Sequence, residues 1–205
     1  MQNEKLFVPI EAMGVKVMSM AFLTDDNTGM AWRGPMAAGA LQQLLTQTLW
    51  GDLDYLVVDM PPGTGDIQLT LSQKVSVAGA LIVTTPQDIA LLDAKKGIVM
   101  FRKVNIPVLG VVENMAVHVC SNCGHIEHVF GEGGGERLAE AYEVDLLASM
   151  PLSMAIRMQC YGGKPTTEAD PESQIAMIYQ QLARTVGARL SVAAYAGAVP
   201  EIEID

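Results

Sequence analysis

Two stretches of the sequence carry residue types whose spacing suits chemistry. The first is Asp59 and the loop after it, which reads Pro-Pro-Gly-Thr-Gly-Asp. A carboxylate at a strand end can hold Mg²⁺, and glycines let backbone N–H groups approach phosphate oxygens. The pattern therefore predicts a site for a magnesium-bound phosphate, made by Asp59, Gly63, Thr64, Gly65 and Asp66. An ordinary strand end with a tight turn explains one Asp and one Pro-Gly, but explains the rest of the loop poorly.

The second stretch is Cys120-Ser-Asn-Cys123-Gly124. Two thiolates separated by two residues can turn onto one soft metal, and the glycine lets the turn close. Tetrahedral zinc or a four-iron cluster takes four ligands, and this pair supplies only two. The remaining ligands could come from nearby histidines, or from the same pair of a second chain across a two-fold axis. The histidines in question are His118, His125 and His128.

Two other interpretations of the cysteine pair stay open at this point. It could be a redox dithiol, although it does not open a helix in a thioredoxin-like βαβ pattern, or it could be an inert turn. Cys160 has no cysteine near it and is interpreted as a bystander. Three cysteines make an odd count, which fits a reducing compartment better than a disulfide framework.

The composition limits the class of protein. The chain has 205 residues, of which half are apolar and few are aromatic. This length and composition predict one domain over 1–190 with a loose acidic tail over 191–205. The net charge of −10 argues against a nucleic-acid partner. No apolar stretch reaches transmembrane length, and the first residues lack a signal-peptide core. The chain is therefore predicted to be cytoplasmic, with no membrane partner.

Alternating strands and helices must position these residues. Short apolar runs predict strands at 15–23, 55–58, 79–85, 107–114 and 145–150. Apolar residues at helical spacing predict helices over 36–49 and 91–101, and a last helix from Asp170 onward. Residues 67–74 are interpreted as a short helix and 131–142 as a helix led by glycines. Continuous apolar strands that alternate with helices predict an α/β fold, a doubly wound and mostly parallel sheet.

Several of these segments together resemble the Mrp (ApbC) family of iron–sulfur carrier ATPases, relatives of the MinD-type deviant P-loop proteins. The resemblance is dense from Trp32 to Pro151. The similar segments are MAWRGPM at 30–36, DYLVVDMPPGTGDIQLTL at 54–71, VTTPQDIALLDAKKGIVMF at 83–101, VLGVVENM at 108–115, CSNCGH at 120–125 and MPL at 150–152.

The resemblance implies a P-loop NTPase fold and a role for each matching position. Asp59 would be the Walker B acid acting on Mg²⁺, and residues 63–66, ending in Asp66, would be the switch that responds to the γ-phosphate of ATP. Asn114 would read the adenine edge, and Pro151 would lie in the nucleotide site. The cysteine pair would bridge a [4Fe-4S] cluster between the two chains of a homodimer, with zinc as a possible substitute. Apo iron–sulfur proteins would receive the cluster, and nucleotide would control the dimer.

One departure from the family pattern changes the expectation for activity. The family's phosphate loop, of the form G-K-G-G-V-G-K-S, is absent from this sequence, and the glycine cluster Gly131–Gly135 has no lysine. We therefore expect an N-terminally incomplete domain that does not hydrolyse ATP alone. The alternative is a non-enzymatic dimeric metal-binding scaffold. A MinD-like positioning ATPase is disfavoured because no amphipathic membrane-targeting helix ends the chain.

Overall fold

The structure is a computed structural model that describes residues 6–23, 34–60, 75–120 and 122–196. The chain divides into two units, residues 1–76 and residues 77–205. The two units are described separately below. The predicted single domain over 1–190 stays a prediction.

The first unit begins with a small antiparallel hairpin. Strands β1 (Ile10–Ala12) and β2 (Val15–Val17) pair in it, and a turn with two positive φ angles, at Met13 and Gly14, joins them. A 3₁₀ turn, Met20–Leu23, and helix α1 (Gly34–Thr46) come later in the unit. The predicted strand over 15–23 is wrong beyond Val17. The Ser19 hydroxyl accepts a hydrogen bond from the N–H of Ala21 at 3.2 Å, which starts the 3₁₀ turn instead.

The apolar run Tyr55–Val58 forms no strand in the first unit. Its side chains are exposed or partly exposed, and Val57 is 88% exposed. A strand is held by hydrogen bonds to a neighbour, and no described residue of this unit forms a ladder with the run. The prediction of a strand ending at Asp59 is therefore wrong for the described residues. The predicted helix over 67–74 lies outside them.

The second unit contains the predicted parallel sheet. Three strands lie in the order β3-β4-β7, and a separate two-stranded ribbon pairs β5 with β6. The five strands are β3 (Ala80–Thr84), β4 (Val108–Glu113), β5 (His118–Val119), β6 (Ile126–Glu127) and β7 (Leu146–Ser149). The predicted α/β fold class with a parallel sheet is confirmed.

The helices described in this unit are α2 (Asp88–Lys103), α3 (Gly134–Ala141), α4 (Met154–Tyr161), α5 (Thr166–Ala169) and α6 (Gln174–Ala196). Helices α2 and α3 lie between strands of the sheet, and the other three follow β7. Helices α2, α3 and α6 pack against the sheet. The sequence did not predict α4, which begins where the Ser153 hydroxyl accepts a hydrogen bond from the N–H of Ala155. Helix α6 continues to Ala196, past the predicted boundary at 190, and the rest of the predicted tail lies outside the described residues.

The core of the second unit lies where α2 and α3 meet the sheet. Ile98 and Val111 have no exposed surface, and Leu138 has almost none. The burial pattern of β4 shows five consecutive buried residues after Val108, so both of its faces are covered. This central strand is therefore the fixed element on which the residues after Glu113 are positioned.

A β-bulge interrupts the central strand at Leu109. The register passes from Ala80 opposite Val108 to Leu81 opposite Gly110, which leaves Leu109 as the extra residue. The carbonyl oxygen of Leu109 accepts a hydrogen bond from Nη1 of Arg189 at 2.6 Å, and the Nη2 of the same arginine pairs with Asp145. Arg189 thus satisfies a backbone group that the bulge removes from the regular ladder.

Candidate functional site

The carboxyl ends of the three parallel strands meet at one edge of the sheet. Thr84, Glu113 and Ser149 are register partners at this edge. Two predicted site residues follow directly: Asn114 after β4, and Pro151 two residues after β7. In open α/β sheets ligands bind at this kind of edge, so the structure places both residues where a nucleotide site is expected.

The backbone of Asn114 is tied to the neighbouring strand, and its side chain is half-buried. Its N–H donates to the carbonyl of Thr84 at 2.7 Å. Its Oδ1 accepts from the N–H of Met115 at 2.9 Å, and Met115 has a φ of 56°. The Nδ2 group donates to no described residue, and Oδ1 keeps a second lone pair. Two N–H donors and one acceptor lone pair therefore remain, and an adenine edge requires one donor and one acceptor.

Glu113 fixes the same edge from within, and the sequence did not identify this role. It is only 5% exposed, and its Oε1 accepts a hydrogen bond from the N–H of Gly135 at 2.6 Å. That N–H lies in the first turn of α3, where N–H groups lack intrahelical partners and the helix dipole favours an anion. A strand-end Glu together with a glycine-led helix was the signal that could have indicated this contact.

The glycines at the start of α3 allow the helix to pack closely against the strand ends. A Cβ atom at Gly135 would lie 2.8 Å from the Cβ of Glu113, and one at Gly134 would lie 2.8 Å from the carbonyl oxygen of Pro86. The backbone of α3 can therefore approach the strand ends only because these residues have no side chain. The prediction of a helix entrance at Gly131–Gly135 is confirmed.

The cysteine pair lies in the turn of the β5–β6 ribbon. His118 is opposite Glu127 and Val119 is opposite Ile126 in its antiparallel register. The turn is closed by two backbone hydrogen bonds, from the N–H of Cys120 to the carbonyl of His125 at 2.9 Å and from the N–H of Gly124 to the carbonyl of Cys120 at 2.8 Å. Gly124 has a φ of 72°, the conformation that the sequence expectation for a closing glycine required.

Both cysteines of the turn are free thiols that solvent can reach. Cys123 is exposed and Cys120 is partly exposed. Hydrogen bonds from the backbone N–H groups of Asn122 and Cys123, and from the Cys123 side chain, lower the pKa of the Cys120 thiol. Donors that point at a sulfur stabilise its thiolate, which is the form that binds metal. The turn is thus prepared for a soft metal.

The three nearby histidines do not complete a metal site within one chain. Among the described residues, no group of three or more His, Cys, Asp or Glu side chains is placed to hold a metal ion. The Nδ1 of His118 lies 3.2 Å from the carbonyl oxygen of Leu152, and the Nε2 of His128 lies 3.7 Å from a carboxylate oxygen of Glu132. In the described part of the chain, the histidines therefore do not join the cysteine pair in one cluster.

The predicted phosphate-site residues belong to the first unit. Asp59 is exposed and belongs to the first unit. Gly63, Thr64, Gly65 and Asp66 lie outside the described residues. Cys160 is an exposed free thiol on α4, and its bystander status stays a prediction.

Comparison with known families agrees with this geometry. The model of a family described as "ParA: NUBPL iron-transfer P-loop NTPase" matches residues 1–187. The chain belongs to this family. The predicted resemblance to the iron–sulfur carriers is confirmed.

Curated relatives are highly similar over most of this chain. The iron-sulfur cluster carrier protein of Pseudomonas fragi is 75% identical over 186 residues, which are 91% of this chain and 65% of the relative. The protein of the same name from Escherichia coli K12 is 60% identical over 182 residues, which are 89% of this chain and 49% of the relative. The chain thus spans about half to two thirds of the length of these two relatives.

Solved structures give the same fold. A nucleotide-binding protein from Archaeoglobus fulgidus, in complex with ADP, is 35% identical with a TM-score of 0.64, over 79% of this chain and 63% of that protein. The cell-division ATPase MinD of Pyrococcus furiosus, 24% identical with a TM-score of 0.53, covers 76% of this chain and 59% of its own. This second match shows the fold alone. Among the described residues, no helix combines the length and apolar character that crossing a bilayer requires.

Proposed function

We propose that this chain carries an iron–sulfur cluster on Cys120 and Cys123 and delivers it to apoproteins. The observation that carries the proposal is the turn of the ribbon. It presents two accessible thiols with backbone donors that stabilise the Cys120 thiolate, in a chain of the iron-transfer family. A carrier must hold its cargo where another protein can reach it, and an exposed turn meets that requirement better than a buried site.

The number of ligands supports a cluster shared by two chains. A four-iron cluster is held by four thiolates, and the described part of this chain offers two within one site. Two chains related by a two-fold axis would bring the same pair twice to the same point. We therefore propose a homodimer with the cluster between the two turns. Zinc would fit the same four sulfurs.

Transfer of the cluster tests this function. The loaded chain, mixed anaerobically with an apo four-iron ferredoxin, should lose its iron–sulfur absorption while the ferredoxin gains its own electron paramagnetic resonance signal on reduction. A membrane-permeable iron chelator present in excess should not stop the transfer, because exchange between thiolates needs no free iron. Transfer that a chelator abolishes would show release into solution, and would contradict a carrier.

We further propose that an adenine nucleotide binds at the carboxyl edge of the sheet, next to Asn114. The proposal rests on the free donor and acceptor of the Asn114 side chain and on the ADP in the Archaeoglobus fulgidus relative. The chain from Asn114 to Cys120 is short, and backbone hydrogen bonds join its middle, at Ala116 and Val117, to residues that follow β7. A nucleotide at this edge could therefore influence the cysteine turn. Turnover of ATP by these 205 residues is not part of the proposal, since their sequence has no lysine-bearing phosphate loop.

The substitution Asn114→Asp separates the two roles of this side chain. Aspartate keeps an oxygen that accepts the hydrogen bond from the N–H of Met115, but it has no N–H₂ group for adenine. We expect saturation transfer from the protein to the adenine protons of ADP to fall about tenfold in the variant. The contact loses one hydrogen bond, and the new carboxylate repels the lone pair of the adenine nitrogen that the amide N–H₂ group faced.

The thermal unfolding of Asn114→Asp serves as the control for its structure. An unchanged midpoint with lost adenine contact supports direct recognition. Saturation transfer equal to that of the unmodified chain would return Asn114 to a structural role at the end of β4.

A further inference from the structure

Among the described residues of the ribbon, His118 is the one whose side chain contacts the rest of the second unit through a polar atom. Its Nδ1 lies 3.2 Å from the carbonyl oxygen of Leu152, and the ring is partly buried. A carbonyl oxygen can only accept, so this contact is a hydrogen bond in the tautomer that carries a proton on Nδ1. His118 also forms an isolated parallel bridge with Leu152.

The backbone of Leu152 is held in place by hydrogen bonds of its own segment. Its N–H donates to the carbonyl of Val117 at 2.7 Å, and the N–H of Ala116 donates to the carbonyl of Met150 at 2.9 Å. Met150 is buried, and Ser153, the next residue after Leu152, is the N-cap of α4. The segment after β7 therefore cannot move without disturbing both the sheet and a helix.

The ribbon needs such an anchor because it is small. It contains two residue pairs, and a two-stranded ribbon alone is marginally stable in water. The side chains of Val119 and Ile126 add little packing energy to the ribbon, since they are 50% and 58% exposed. The contacts with Leu152 therefore decide the direction in which the cysteine turn points.

We infer that His118 is a positioning residue for the cysteine pair: its Nδ1–H, bonded to the Leu152 carbonyl, holds the ribbon in the orientation in which Cys120 and Cys123 bind the cluster. This inference rests on the proposed carrier function. It gives His118 a role other than that of a metal ligand. His118 precedes Cys120 by two residues, so a loose ribbon base displaces the thiolates directly.

Three substitutions of His118 separate the hydrogen bond from the ring. His118→Phe keeps an aromatic ring but has no donor, His118→Ala removes both, and His118→Asn offers an amide N–H₂ near the position of Nδ1. We expect the loss of cluster to a chelator to become about three- to tenfold faster in the Phe and Ala variants, the factor that one net hydrogen bond gives. The Asn variant should stay near the unmodified rate.

Amide hydrogen exchange of the cluster-free chain supplies a readout that does not depend on cargo. The N–H groups of Leu152 and Cys120 should exchange about three- to tenfold faster in His118→Phe and be protected again in His118→Asn. The N–H of Val111, bonded to the carbonyl of Asp145 in the sheet, is the internal control and should not change.

The outcomes distinguish the inference from the function on which it rests. A His118→Phe variant that matches the unmodified chain in both measurements overturns the positioning role, and so does a His118→Asn variant that behaves like His118→Phe. An unmodified chain that binds no cluster at all contradicts the proposed function, while the exchange of Leu152 and Cys120 still decides whether His118 anchors the ribbon.

Discussion

Replacing either cysteine of the turn should abolish iron–sulfur binding. In a cluster shared by two chains, Cys120→Ser or Cys123→Ser removes two of four thiolates at once, one from each copy. Four-ligand structural zinc sites have binding free energies of roughly 10–16 kcal/mol. Removing two of the four ligands should therefore cost on the order of 5 kcal/mol or more of binding free energy. Serine keeps the size of the side chain but is not a soft ligand for iron or zinc.

The measurement is iron and sulfide content with the visible charge-transfer absorption after anaerobic reconstitution. Cys160→Ser is the matched control, because it makes the same chemical change at an exposed thiol on α4. It should bind as much iron as the unmodified chain. A cluster content that falls in Cys160→Ser, or that persists in Cys120→Ser, would contradict the assignment of Cys120 and Cys123 as the ligands.

Replacing Gly110 should destabilise the second unit more than any other single methyl addition that we can identify in it. Gly110 follows the bulge of β4 with a φ of 152°, and an added Cβ would lie 2.5 Å from the Cγ of Leu147 and 2.7 Å from the carbonyl oxygen of Asp145. The backbone oxygen cannot rotate away as a side chain can. We expect Gly110→Ala to cost about 3 kcal/mol of unfolding free energy, from overpacking and an unfavourable φ together.

Urea unfolding followed by far-ultraviolet circular dichroism measures this cost. Tryptophan fluorescence is unsuitable, because Trp32 and Trp50 both belong to the first unit. The control is Gly97→Ala in α2, where the added Cβ would meet only the Cδ1 of Ile82 at 3.7 Å. Alanine in a helix interior should stabilise by about 0.5–1 kcal/mol. If Gly110→Ala unfolds at the same urea concentration as the unmodified chain, the bulge geometry is wrong.

The sequence predicted the elements whose pattern is local and strong. The continuous apolar runs at 79–85, 107–114 and 145–150 correspond to the strands of the parallel sheet, and the stripe at 91–101 corresponds to α2. Buried parallel strands must be apolar on both faces, so few other patterns compete with them. Asn114 and Pro151 were predicted from the family resemblance, and the structure places both where these strands end.

The sequence failed where structure depends on a distant partner. Tyr55–Val58 has strand composition, but no described neighbour supplies the hydrogen bonds that a strand requires. The ribbon that carries the cysteines has only two residues per strand, too few for a periodic signal. The contact of His118 with Leu152 joins residues 34 positions apart, and no local pattern indicates it.

A cluster shared by two turns fixes the number of chains per cluster at two. Native mass spectrometry of the anaerobically reconstituted protein measures chains, iron and sulfide in one species. We expect a dominant species of two chains with about one four-iron cluster, and single chains without iron, because each turn supplies two of four thiolates. A single chain that carries a complete four-iron cluster would contradict it.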